Sequence, residues 1–126
     1  MIDINLLKEA SKKVLNNSYS PYSGIKVAAA VLTKNGNIYT GVNVENSSYA
    51  LTSCAEKNAI INSIIHGEKD FLAMAVYTDS HLVKSPCGSC RQFIFEFSKD
   101  LQIYFYGPDY YNEFNIKELF PEGFSL

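Results

Sequence analysis

The stretch FLAMAVYT, Phe71–Thr78, is apolar almost throughout. A strand with one wet face alternates apolar and polar residues, whereas a strand covered on both faces reads as a continuous apolar run. This segment therefore requires a layer of structure above it and another below. The flanking sequence supplies candidates for both. Leu6, Leu7, Ala10 and Val14 recur at helical spacing behind Asp3, an N-cap residue type, and predict a first helix ending near Asn16–Asn17. Cys54 to Ile65 predicts a second helix, with Ala59, Ile60, Ser63 and Ile64 facing a core and His66-Gly67 as its stop. Cys90 through Phe97 predicts a third, with Phe93, Ile94 and Phe97 inward.

Four further strands surround these helices. IKVAAAVLT and NIYTGVNV flank Asn35-Gly36, a hairpin signal. LQIYFY and NEFNI follow the third helix, and the GPDYY link between them is too short for a parallel crossover, so this pair is expected to be antiparallel. A helical turn is expected near Lys117–Phe120. Interleaving of this kind predicts an α/β fold, a three-layer α/β/α arrangement with a mixed sheet of about five strands. At 126 residues the chain reads as a single domain over residues 1–126.

Composition narrows the function. With 47% hydrophobic and 19% charged residues the chain has the material for a core and is not of the disordered class. No apolar run approaches the length of a membrane span. The start MIDINLLKEASKK lacks the basic, then apolar, then small-residue layout of a signal peptide, so a cytoplasmic location is expected. A net charge of −2 without a basic cluster argues against a nucleic-acid partner. The tyrosines of YFYGPDYY read as strand and interface packing, because the charges around them are acidic.

Three cysteines remain to be explained: Cys54, and the C-x-x-C pair Cys87 and Cys90 in SPCGSC. They can hold a metal, form a disulfide or fill a core. An odd count in a reducing compartment makes the disulfide the weakest of these. A helix beginning near Cys87 brings Cys87 and Cys90 to one side of its first turn, and Cys54 also stands at a helix start. Helix N-termini carry unpaired N–H groups and partial positive charge, which favours thiolates. Zinc suits such donors. Structural zinc takes four protein ligands, leaving His66 or His81 as the fourth, whereas catalytic zinc takes three and keeps a position open. Glu56 favours the catalytic site, because a carboxylate two residues after a ligand can carry protons, although an acid is also favourable in the first turn of any helix. Positions i and i+2 do not share a helix face, so Cys54 must sit at the cap or first helical residue for both side chains to meet one site.

The segments CAE at Cys54–Glu56 and PCGSCRQ at Pro86–Gln92 resemble the signature of the zinc-dependent cytidine deaminases, in the three-cysteine variant. YSPYS at Tyr19–Ser23, NVENSSYA at Asn43–Ala50 and ELFPEGF at Glu118–Phe124 are similar to stretches of the small homotetrameric members, so the likeness spans nearly the whole chain. The resemblance implies a cytidine deaminase-like fold, Zn2+ as cofactor, Cys54, Cys87 and Cys90 as its ligands, and Glu56 as the catalytic proton carrier. It implies a nucleoside substrate held by Asn43, Glu45 and the backbone of Ala55, with Ile25 beside the base and Phe124 reaching a neighbouring subunit's pocket. Membrane and nucleic-acid partners are not implied. The expected reaction is conversion of cytidine and deoxycytidine to uridine, deoxyuridine and ammonia in pyrimidine salvage.

Three thiolates would leave the metal unit anionic, and Lys57, three residues after Cys54, and Arg91, next to Cys90, are the cations placed to tune it. The family usually has arginine where this chain has Lys57, phenylalanine where it has Ile25, and glycine where it has Ala28. Arginine's fork can direct two hydrogen bonds, and lysine is a point charge. These departures keep open a cytosine-bearing analogue such as blasticidin S as the substrate. A structural-zinc domain without catalysis and a nucleic-acid deaminase are the remaining alternatives.

Overall fold

A computed structural model describes residues 2–126. Its elements are α1 (Ile4–Val14), β1 (Val27–Thr33), β2 (Ile38–Val42), α2 (Ala55–Ile65), β3 (Phe71–Thr78), α3 (Gly88–Phe97), β4 (Gln102–Tyr106), β5 (Tyr111–Asn115) and α4 (Ile116–Leu119), with single 3-10 turns at Leu15–Asn17 and Tyr49–Leu51. The five strands form one sheet in the order β2-β1-β3-β4-β5. Only the β3–β4 pair is parallel, and the β4–β5 pair is antiparallel as its short link requires.

Both faces of the sheet are covered. β3 occupies its centre, and within it Phe71 and Ala73 through Val76 are buried. On one face α1 lays Leu7 against a floor of Ala30, Ala73 and Ala75. The Asp3 side chain caps α1 by accepting from Asn5 N–H at 3.0 Å. On the other face α2 and α3 bring Ala59, Ile60 and Ile94 onto Ala29, Val31, Met74, Val76, Ile103 and Phe105. The fold is thus the three-layer α/β/α arrangement with a mixed sheet.

Two helical positions differ from expectation. Leu6 is 60% exposed and Ile64 is 40% exposed. Each helix buries only one stripe against the sheet, and these two residues at the margin of the apolar arc stay in water. Helical period identifies the stripe's centre and not its width.

Two glycines matter to the layout. Gly36 adopts φ +88° in the β1–β2 turn, a left-handed conformation that L side chains rarely take. Gly41 in β2 lies under α2: a Cβ there would stand 2.7 Å from the Ala55 carbonyl oxygen. Its hydrogen lets the helix backbone settle onto the strand, which brings the N-terminus of α2 close to the sheet. Among the described residues, no helix is long and apolar enough to cross a membrane.

Candidate active site

The N-termini of α2 and α3 meet at one end of the sheet. Cys54 is the N-cap of α2, with extended backbone (φ −78°, ψ 152°), and Cys87 is the N-cap of α3 (φ −66°, ψ 167°). Cys90 lies in the first turn of α3, and its N–H donates to the Cys87 sulfur at 3.5 Å. The sulfurs of Cys54 and Cys87 are 3.6 Å apart, and all three sulfurs lie within 4.8 Å of one another. Tetrahedral zinc with Zn–S bonds of about 2.3 Å sets its sulfurs about 3.8 Å apart, so this donor set fits the ion.

No histidine joins this group among the described residues. His66 turns its Nδ1 to the Asn62 carbonyl and stacks on Tyr39, while His81 faces Asp109 at 3.5 Å. Neither histidine is therefore placed to complete a closed Cys3His site.

Electrostatics favour one thiolate first. Hydrogen bonds with Cys90 and Cys87, and the charge of Lys57, bring Cys54 down to about 6 against the opposing effect of burial. Cys90 is held protonated by its hydrogen bond to Cys54 and by burial. Glu56, at the second position of α2, is only 5% exposed. Burial pushes its carboxyl up to about 7, with the neighbouring Cys54 charge acting in the same direction.

Cys54, Ala55, Glu56 and Cys87 line one cavity of about 160 Å³, together with Val27, Asn43, Thr52, Val83 and Ser85. The extended N-cap backbone of Cys54 is what allows side chains at i and i+2 to reach it together. Asn43 is held by two backbone partners and one side chain: its Nδ2 donates to the Ile25 carbonyl at 2.9 Å, and its Oδ1 accepts from Val27 N–H at 3.0 Å and from the Ser18 hydroxyl. Glu45 lines an adjoining cavity of about 390 Å³ with Tyr22, Ser23, Tyr49 and Thr52. Its carboxylate accepts from Tyr22 N–H (3.0 Å), Ser23 N–H (3.1 Å) and the Ser23 hydroxyl, and these bonds hold its pKa below the usual carboxylate range.

The remaining candidates lie apart from the metal-side cavity. Neither the half-buried Ile25 nor Phe124, 64% exposed, is among its lining residues. Ala28 is buried in β1, paired with Val42 and Tyr77 across the sheet. Lys57 is half-buried and acts on Cys54 through space. Arg91 directs its guanidinium to oxygens of Ser85, Pro86 and Leu119. Val27, Thr52, Val83 and Ser85 were not legible as site residues, since small apolar and hydroxyl side chains carry no chemical signature.

Sulfur donors converging beside a buried carboxylate define the class as zinc-dependent hydrolytic enzymes. The profile of the family described as the cytidine and deoxycytidylate deaminase zinc-binding region matches residues 1–106. A cytidine deaminase of Halalkalibacterium halodurans is 38% identical over 122 residues, covering 95% of this chain and 92% of the relative. One from Mycoplasma pneumoniae is 38% identical over 127 residues, covering 98% and 95%. The crystal structure of cytidine deaminase from Burkholderia pseudomallei superposes with a TM-score of 0.91 at 35% identity, over 98% of this chain and 100% of that one. The chain belongs to the zinc-dependent cytidine and deoxycytidylate deaminase family.

Proposed function

We propose that this chain deaminates cytidine and deoxycytidine hydrolytically, consuming water and releasing ammonia with uridine or deoxyuridine. The observation that carries this reading is that Glu56 lines one cavity with Cys54 and Cys87. Cys54, Cys87 and Cys90 are the residues to hold zinc. When bound there, zinc supplies a Lewis acid and brings the pKa of water to about 7.

Glu56 takes one proton from the attacking water and delivers it to ring N3, then takes the second proton from the new C4 hydroxyl and gives it to the exocyclic amine, which leaves C4 as ammonia while the C4 carbonyl forms. A carboxyl pushed toward neutrality by burial is suited to both accepting and donating. The Asn43 amide donates to or accepts from the ribose hydroxyls, the ionised Glu45 carboxylate accepts from them, and the backbone of Ala55 meets the base. Lys57 offsets thiolate charge. The relatives named as cytidine deaminases give no support to the analogue substrate.

Assembly into a homotetramer with shared active sites extends the same reading. Tyr22, Tyr49, Leu51 and Phe124 stand exposed, which suits surfaces that close against other copies. A cytoplasmic role in nucleoside salvage follows from the substrate class.

The direct test follows the loss of cytidine absorbance during conversion to uridine, alongside zinc content. Turnover that vanishes with a chelator and returns with zinc is expected. Zinc-loaded protein inert toward both cytidine and deoxycytidine would remove the proposal.

A further inference from the structure

Arg91 follows Cys90 directly, yet its guanidinium reaches three separate acceptors. Nε donates to the Pro86 carbonyl at 2.9 Å, Nη2 to the Ser85 hydroxyl at 3.0 Å, and Nη1 to the Leu119 carbonyl at 3.0 Å. Among the described residues no carboxylate forms an ion pair with it. The first two acceptors belong to the loop that sets Cys87, and the third is the last residue of α4. The next residue, Gln92, donates from Nε2 to the Phe124 carbonyl at 3.2 Å. The rings of Phe95 and Phe120 meet at 5.6 Å on the same side of α3.

We infer that Arg91 is a positioning residue that clamps the Ser85–Pro86 loop to the end of α4, so that Cys87 and the C-terminal segment 119–124 hold their places together. Pro86 is buried, and loss of the Arg91 donor would leave its carbonyl without that partner. Ser85 and Cys87 also line the cavity beside Glu56, so the clamp fixes one wall of the pocket as well as one sulfur. The geometry needs a fork. Three donors in one rigid plane can meet acceptors on two sides, whereas a lysine ammonium places its charge at a single point. Arg91 therefore acts on the metal site through the backbone it braces, in the way outer partners orient ligands. This inference rests on the zinc-site reading above.

The test compares wild type with Arg91→Lys, Arg91→Ala, Ser85→Ala and the Ser85→Ala/Arg91→Lys double variant. One readout is the rate of zinc transfer to a chromogenic chelator, and the other is hydrogen exchange in segments 82–88 and 119–126. Both Arg91 variants should release zinc about tenfold faster or more, and exchange should rise in both segments together. Ser85→Ala should add little to Arg91→Lys, because the shared interaction is already gone. Zinc release from Arg91→Lys at the wild-type rate would show that charge alone suffices and overturn the clamp. So would faster exchange in only one of the two segments, or additive effects in the double variant. Arg91→Lys keeps the charge and carries the test if Arg91→Ala does not fold. Wild type that binds no zinc sinks the site reading and the clamp together, whereas zinc-loaded wild type with an unaffected Lys variant sinks the clamp alone.

Discussion

The sulfur of Cys54 lies 3.6 Å from that of Cys87, although 33 positions separate the two residues along the chain. Two helix N-caps on different elements converge to make this contact, and Cys90 completes the trio one turn into α3. Such closely gathered thiols gain by sharing a divalent cation. The wild-type chain is expected to carry one zinc, and Cys54→Ser or Cys87→Ser to carry less than stoichiometric metal, with a lowered melting temperature in each case. Elemental analysis alongside thermal unfolding checks this.

Glu56→Gln should retain zinc and lose turnover by at least about 100-fold, the usual scale of a removed general acid–base. It should also stabilise the metal-free protein. The native carboxyl is raised to about 7 from an ordinary 4.5, so the folded state disfavours its charged form. The resulting penalty grows as pH rises from the ordinary value toward 7 and stays constant above, reaching about 3 kcal/mol. Urea unfolding of metal-free protein at pH 5 and pH 8 should therefore show Glu56→Gln gaining more at pH 8. An equal gain at both would contradict the burial account.

Gly41→Ala should destabilise the fold by about 3 kcal/mol, since the added methyl meets backbone atoms of Ala55 and Asn58 and neither can rotate away. Because those atoms belong to the first turns of α2, the same change should weaken zinc retention. Chemical unfolding and zinc competition measure the two effects, and a variant as stable as wild type would mean that α2 docks less tightly than the backbone contact requires.

Glu45 is expected to govern the acid stability of the Pro21–Gly24 turn. Its carboxylate accepts from Tyr22 and Ser23, and these bonds depress its native pKa. A depressed carboxyl contributes stability that is present above the ordinary carboxylate range and lost as pH falls through the lower native value. Amide exchange at Tyr22 and Ser23 should therefore gain protection loss on acidification relative to distant amides, and Glu45→Gln should show much of that loss already at neutral pH. Protection unchanged in Glu45→Gln would remove the carboxylate from this role.

Local signals were legible wherever the physics is local. Asp3 as a cap, Asn35-Gly36 as a turn and the antiparallel closing pair required only neighbouring residues to be read. So did the requirement that Cys54 cap its helix, because only an extended residue there lets Cys54 and Glu56 face one point. Less legible were residues whose surroundings come from elsewhere in the chain. Leu6 and Ile64 belong to helical apolar patterns yet remain exposed, because which part of an apolar arc is buried depends on where the helix docks, not on its own spacing. Arg91 stands next to a sulfur in sequence, but its acceptors lie in the preceding loop and at Leu119, 28 positions away.

The order of residues alone determined which elements form, which thiols share a helix turn and what family the chain resembles, since capping, period and turn chemistry act within a few residues. Packing of α2 and α3 on the same face of the sheet decided the rest. It brought Cys54 to Cys87, removed Glu56 from water and gave Arg91 two segments to hold, because proximity between distant parts of a chain is set by burial in a shared core and not by their spacing.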